Sequence, residues 1–307
     1  MLAYSLMKLM SRIACVQPTC FNDALAYALG QIGWLATPKW RRYMAKENVK
    51  ECLGVSETEA ERIAKESVTR FGRMLIEVLR YPLINQANFR NLVHFEGLEH
   101  LEEAYAEGRG VIMCTAHYGN WEMLGASMAL LGYPILSITR KQNDGDADRF
   151  INEYRQMVGQ HVTYNHGKSS MLSIGRYLKD KHLVGILYDQ DSAHVGEHLE
   201  LFGKPARVPD GAAQLARVFK APIVPLFMHN QPDGTLTAVI HPYTGPTLKI
   251  QLSREENSHV IMEKLIRIAE EEIRRDPAMW FWVHDRWKDG KRRYRDRKHF
   301  STPMTGN

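Results

Sequence analysis

From Gly110 to about residue 228 the chain alternates short apolar runs with amphipathic stretches. That rhythm restricts the available folds more than any other feature of the sequence. Gly110–Ala116, Pro134–Thr139, 161–164, 183–188 and 222–228 have the length and composition of strands. Residues 120–131, 146–158, 169–180 and 210–220 have the apolar spacing of helices. Two parallel strands need a crossover between them, usually a helix. The alternation therefore predicts an α/β fold with a mainly parallel central sheet flanked by helices. Pro232-Asp233-Gly234, between apolar runs, predicts a hairpin and so an antiparallel portion. A helix over about 254–275 follows.

The first third reads as helices: 22–34, 41–53, and a segment opened by Ser56-Glu57-Thr58-Glu59 that runs to about residue 80. A serine with a glutamate three residues on is a capping box. Leu2, Leu6, Leu9, Met10 and Ile13 share one face of a further helix, with Ser5, Lys8, Ser11 and Arg12 opposite. That stripe either lies flat in a membrane interface or packs on the core, and Met7 and Met10 suit both. With no repeat or clear linker, the expected organisation is a helical N-terminal lobe over 1–80, an α/β domain over 81–290 and a basic tail over 291–307.

Composition narrows the function. Hydrophobic residues make up 44% and charged residues 24%, an ordinary globular balance. Cys15, Cys20, Cys52 and Cys114 are scattered, form no CxxC, and fit a reducing compartment. The longest charge-free apolar stretch, Met123–Ile138, falls short of a membrane span and is broken by Gly132 and Pro134. Lys8 and Arg12 fall inside the N-terminal apolar segment, a poor match to a secretory signal. There is no GxSxG, GxxxxGK[ST] or GxGxxG motif, which argues against a serine hydrolase, a P-loop NTPase and a typical dinucleotide enzyme. Residues 286–299 hold eight basic and two acidic side chains, more than the whole net charge of +5. That stretch asks for a local partner: an anionic membrane surface, an acidic carrier protein or, least supported, nucleic acid; a solubilising end is the plain alternative.

The strongest local signal is Thr115-Ala116-His117-Tyr118-Gly119-Asn120-Trp121-Glu122, after a strand and before a helix. It puts His117 at the C-terminal end of a strand, where open α/β sheets place ligands. His117 and Glu122 can meet only if the histidine is in the turn and the glutamate reaches back from the first helical turn. Such a pair suits general-base catalysis, the carboxylate fixing the tautomer of the imidazole. The same spacing also fits a loop histidine beside a capping-region glutamate. A metal site is the weaker reading, because HxxxxE is not HExxH.

His117 to Glu122 matches the HxxxxD/E motif of the glycerolipid acyltransferase superfamily. The wider chain resembles its bacterial lipid A late-acyltransferase branch (lauroyl and myristoyl transferases). The stretches that carry the resemblance follow in order: Phe95–Leu101, Gly108–Ile112, Ser137–Lys141 with Arg140, Asp189-Gln190-Asp191, Leu201–Ala206, Ala221–Pro225 and Trp282–Lys288. The set covers roughly residues 40–290.

The resemblance implies that His117 takes the proton of a hydroxyl, that the oxygen attacks an acyl thioester without an acyl-enzyme, and that Glu122 supports His117. It implies acyl carrier protein as donor, a phosphorylated lipid A precursor as acceptor, no cofactor, and work on the cytoplasmic face of the bacterial inner membrane. On this reading Arg140, Arg286 and Lys288 contact phosphate, and Asp189 and Asp191 orient Arg140 or the acceptor hydroxyls. Without it, Arg140, Arg286 and Lys288 are solvated surface charges and the two aspartates cap the next element. Glu197–Glu200 is more polar than the branch usually shows, and Asp285 stands where a basic residue is common. The rival classes are an acyltransferase for another glycolipid, such as a mannosylated phosphatidylinositol, or one using acyl-CoA, and a silent membrane- or carrier-binding scaffold. Trp280, Phe281 and Trp282 belong to the membrane interface or the core.

Overall fold

The computed structural model describes residues 2–165, 167–191, 196–245 and 254–287. Lys288 and the basic tail lie outside the described residues. Four helices come first: α1 (Leu2–Val16), α2 (Thr19–Ala36), α3 (Lys39–Leu53) and α4 (Glu57–Leu79). Ser56 caps α4 as its capping box predicts, its side chain accepting from the Glu59 backbone N–H at 3.2 Å. Then come β1 (Val93–Glu96), α5 (Leu98–Ala106), β2 (Val111–Thr115), α6 (Trp121–Leu130), β3 (Ile135–Thr139), α7 (Gly145–Met157), β4 (Gln160–Tyr164), α8 (Lys168–Lys179) and β5 (Leu183–Leu187). The chain continues through β6 (Glu197–Leu201), β7 (Lys204–Val208), α9 (Gly211–Phe219), β8 (Ile223–Asn230), β9 (Leu236–Ile240) and α10 (Arg254–Arg275).

Seven strands form one sheet in the order β1-β9-β8-β2-β5-β3-β4. The run from β8 to β4 is parallel throughout. β9 returns antiparallel to β8 through the turn at Pro232-Asp233-Gly234, and β1 lies parallel to β9. The α/β architecture read from the sequence therefore holds. β2 sits in the middle, and all five of its residues are buried. Ile112 and Cys114 join one apolar cluster, while Val111 and Met113 join another. Both faces of the sheet are thus covered, as a buried parallel strand requires.

Three elements have no counterpart in the sequence reading: β1, α5 and the β6–β7 hairpin. The hairpin turns on Phe202-Gly203, both in the left-handed region, and points Leu199 and Leu201 inward. Its Glu197–Glu200 stretch is polar because alternate residues face out.

α1 docks through a mixed face on which Tyr4, Met7, Met10 and Ala14 pack on the core. Polar contacts join them: the Tyr4 hydroxyl donates to Glu153, Lys8 Nζ to the same carboxylate at 2.9 Å, and Ser11 Oγ to the Leu79 carbonyl at 2.6 Å. Leu2 (87% exposed), Leu6, Leu9, Ile13 and Val16 face outward. Core packing of that stripe is excluded for Leu2, Leu6, Leu9 and Ile13; Met7 and Met10 are partly buried against the core. α2 adds exposed Phe21, Tyr27, Ile32 and Leu35. Among the described residues no helix is long and apolar enough to cross a membrane.

α2 and α4 approach so closely that two glycines carry the contact. A Cβ on Gly72 would lie 2.5 Å from the Ala26 carbonyl oxygen and 2.6 Å from Gly30 N. Backbone atoms cannot yield as a side chain can. Gly72→Ala is expected to cost about 1–3 kcal/mol of stability through overpacking. Gly33→Ala on the same helix pair, 3.6 Å from Val68 Cγ1, is expected to be neutral or slightly stabilising. Urea unfolding of the two variants checks this, and equal midpoints would refute the close-contact account.

Candidate active site

β2 ends at Thr115 beside Leu187, the last residue of β5. The chain leaving β2 turns through Ala116–Gly119, and Asn120 caps α6 by accepting from Met123 N at 2.8 Å. Gly119 is left-handed at φ 56°, and a Cβ there would collide with the Met228 carbonyl oxygen. Because β2 and β5 are neighbours in register, His117 and Asp189, each two residues past its strand, come together. His117 Nδ1 lies 2.8 Å from Asp189 Oδ1.

Asp189 is buried, and its other oxygen accepts from the Trp280 indole Nε1–H at 2.8 Å. Burial pushes its carboxyl up, but the His117 charge and the hydrogen bonds from His117 and Trp280 outweigh burial and hold it at about 2. The carboxylate is therefore ionised, so Nδ1 must carry the proton and donate. Nε2 is the ring nitrogen turned away from Asp189, toward the side from which a substrate proton would come. This is the arrangement of a general base and its orienting carboxylate.

The segment after α10 fastens the turn in place. Phe281 N donates to the His117 carbonyl at 3.1 Å and Gly119 N to the Met279 carbonyl at 3.0 Å, with Tyr118 bridged to Trp280. Trp280 and Trp282 are buried, so these aromatics belong to the core. Behind the turn the Tyr118 hydroxyl donates to the Glu272 carbonyl at 3.1 Å. The Glu272 carboxylate, fully buried, takes His229 Nε2 at 2.6 Å and His241 Nε2 at 3.0 Å. Trp121 sets its ring edge-on to His117 with centroids 4.9 Å apart, and Phe71 stacks on Trp121.

A profile of bacterial lipid A biosynthesis acyltransferases matches residues 10–289, nearly the whole chain. The chain belongs to this family. Phosphatidylinositol mannoside acyltransferase of Mycobacterium tuberculosis H37Rv is 27% identical over 65% of this chain and 70% of its own length. Lipid A biosynthesis palmitoleoyltransferase of Escherichia coli K12 is 25% identical over 84% and 83%. Lipid A biosynthesis acyltransferase of Haemophilus influenzae is 23% identical over 87% and 81%. The chain is accordingly an acyltransferase.

In this acyltransferase the expected His117–Glu122 pair is replaced by another. Glu122 is buried in the first turn of α6 and takes a two-pronged ion pair from Arg155 of α7: Nη2 to Oε1 at 2.6 Å and Nε to Oε2 at 2.8 Å. Its carboxylate is spent on the guanidinium, and the carboxylate that meets His117 is Asp189. Arg155 of α7 occupies both oxygens of Glu122, whereas the end of the neighbouring strand sets Asp189 directly beside the ring.

The other expected residues scatter. Asp191 stays near the pair, its backbone N–H donating to His284 Nε2 at 3.3 Å. Arg140 follows β3, two strands from β2 and so about 10 Å away across the sheet. It is exposed, and the structure does not bring it to His117. Arg286 is 1% exposed, which overturns its reading as a surface charge. Its Nη1 donates to the Arg207 carbonyl at 2.8 Å, while Nε and Nη2 have no partner among the described residues. Burial pulls its pKa down, opposed by the charges of Asp189 and Asp191. Arg155, partner of Glu122, carries no such signal in the sequence; Trp280, partner of Asp189, and Gln190 stand in stretches already singled out, but spacing gives neither a place at His117. A cavity of about 340 Å³ lies apart, between α4 and the end of α10, lined by Arg62, Glu66, Arg70 and Arg274. Among the described residues no cluster could hold a metal ion.

Proposed function

We propose that the chain moves a fatty acyl group from a thioester on acyl carrier protein to a hydroxyl of a lipid A precursor. His117 is the general base and Asp189 orients it. The observation that carries this reading is the ionised, buried Asp189 locked on His117 Nδ1 at the C-terminal edge of the sheet. The hydroxyl oxygen attacks the thioester carbonyl carbon as its proton passes to Nε2. The carbonyl electrons move onto oxygen, return, and break the C–S bond, and the thiolate takes the proton from the imidazolium. Transfer without an acyl-enzyme fits Cys114, three residues before His117: it is fully buried and burial pushes its thiol up, so it makes a poor nucleophile.

A second reading is favoured by the mannoside acyltransferase relatives: the acceptor is a mannosylated phosphatidylinositol. Both candidate acceptors are phosphorylated lipids with sugar hydroxyls. Acyl transfer read by mass spectrometry separates them. Purified protein is offered each acceptor with acyl carrier proteins loaded with chains of different length, or with acyl-CoA. Gain of one acyl group on the lipid A precursor from acyl carrier protein supports the first reading. Gain only on the mannoside selects the second, and gain only from acyl-CoA overturns acyl carrier protein as the donor. No gain on either acceptor from either donor defeats both and favours a silent scaffold.

The acceptor is a membrane lipid, and the outward apolar faces of α1 and α2 support peripheral attachment to the cytoplasmic face of the inner membrane. Leu6→Glu/Leu9→Glu is expected to lower binding to anionic vesicles by about 10-fold or more, since each buried leucine contributes roughly 1.5–3 kcal/mol. Sedimentation with vesicles checks this, and unchanged binding would reject α1 as the attachment face.

A further inference from the structure

Gln190 is the side chain that meets the working nitrogen of His117. Its Nε2 lies 3.3 Å from His117 Nε2, on the opposite side of the ring from Asp189. An amide nitrogen can only donate, so with Nδ1 donating to Asp189 it is the lone pair of Nε2 that the amide meets. The base is therefore capped in the structure by a hydrogen bond that substrate must displace.

Most other donors around the turn are committed. The backbone N–H of Tyr118 serves the Ala116 carbonyl, that of Gly119 the Met279 carbonyl, and that of Phe281 the His117 carbonyl. Asp191 N serves His284, the Trp280 indole serves Asp189, and the Asn120 amide serves Glu77. An acyl transfer through a tetrahedral intermediate needs a donor at the oxygen where charge develops. Gln190 combines a position at the reacting proton with amide hydrogens that substrate itself would release.

On the reading given under Proposed function, we propose that Gln190 is a catalytic residue that serves in turn as cap and as oxyanion donor. The acceptor hydroxyl takes the amide's place at Nε2. The freed carboxamide swings to the thioester carbonyl oxygen. As the hydroxyl oxygen bonds to the carbonyl carbon and its proton moves to Nε2, the carbonyl electrons pass to that oxygen, which the Gln190 N–H stabilises. When C=O reforms and C–S breaks, the imidazolium gives its proton to the sulfur, and the amide returns to Nε2.

The test compares Gln190→Met, of similar length without a donor, and Gln190→Asn, which keeps the amide, with the unaltered enzyme and His117→Ala. The readouts are kcat, donor KM, melting temperature, and affinity for two inert donor analogues, one with a tetrahedral phosphonate in place of the thioester and one with a thioether. Loss of one oxyanion donor predicts a fall in kcat of about 10²–10³-fold for Gln190→Met with donor KM nearly unchanged. Gln190→Asn should lose less. The phosphonate, whose oxygens stand for the attacking oxygen and the developing oxyanion and so lift the cap themselves, should bind Gln190→Met more weakly, and the thioether equally well, which a merely structural role would not produce. A kcat within about threefold of the unaltered enzyme overturns the proposal, as does a loss confined to KM or an equal loss of affinity for both analogues. If His117→Ala keeps full activity, the parent reading fails; if it loses activity while Gln190→Met does not, only the role of Gln190 fails.

Discussion

His117→Ala is expected to lower kcat for acyl transfer by about 10²–10⁴-fold, the usual worth of a positioned general base. Asp189→Asn should lower it by up to ~10⁴-fold, because an amide opposite Nδ1 can hold the ring in the wrong tautomer and no longer steadies the imidazolium. The losses should not add in the double variant, since either change disables the same base. Single-turnover transfer with saturating donor measures all three. A full loss in Asp189→Asn separates this enzyme from the pairing that spacing suggested, in which Glu122 does the work. The pH dependence follows from the same carboxylate. Its folded pKa of about 2 lies below the ordinary value, so its contribution to stability is fully present above about pH 4 and lost as pH falls toward 2. The melting-temperature gap between the parent and Asp189→Asn should hold steady above about pH 4 and narrow below it. A gap that stays unchanged down to about pH 2 would mean that Asp189 is not the ionised partner described.

Removing Arg155 should damage the fold more than any surface change. Arg155→Ala leaves the Glu122 carboxylate buried without its countercharge, and breaking one side of a buried pair costs about 3–5 kcal/mol. Glu122→Ala should cost a similar amount by stranding the guanidinium. Glu122→Leu with Arg155→Met, which removes both charges and keeps the volume, should cost less than either single change. Guanidinium unfolding measures the three. If the double variant is the least stable, the pair is worth more than apolar packing and the argument is wrong. The pair ties the first turn of α6 to α7, so the single variants should also lose activity, and the double variant should recover part of it.

Much of this is legible in the amino-acid sequence. Alternating apolar runs foretell the parallel sheet, Ser56 the start of α4, and Pro232-Asp233-Gly234 the β8–β9 hairpin. His117 is visible because a strand end followed by Gly119-Asn120 is a local pattern. Its partners are not local. Asp189 reaches His117 through strand order, and Arg155 reaches Glu122 through a helix packing beside α6; neither follows from spacing along the chain. α1 shows a different gap. Its periodicity separates two faces, but periodicity carries no sign. The face that packs inward mixes Met7 and Ala14 with Tyr4, Lys8 and Ser11, to which Glu153 and the Leu79 carbonyl give partners. The β6–β7 hairpin carries the alternation of a strand pair and the Phe202-Gly203 turn, but its charged outer residues disguise it as a polar loop.

The fastening of residues 117–119 by residues 279–281 also has a meaning in time. Synthesis runs from the N-terminus, and β2 and β5 leave the ribosome long before Trp280. Until that indole emerges, Asp189 lacks one of its two donors, and the turn after β2 lacks the backbone partners that hold it. The chain that carries His117, Asp189 and Gln190 therefore gains the contacts that hold them in place only when residues 279–281 are made.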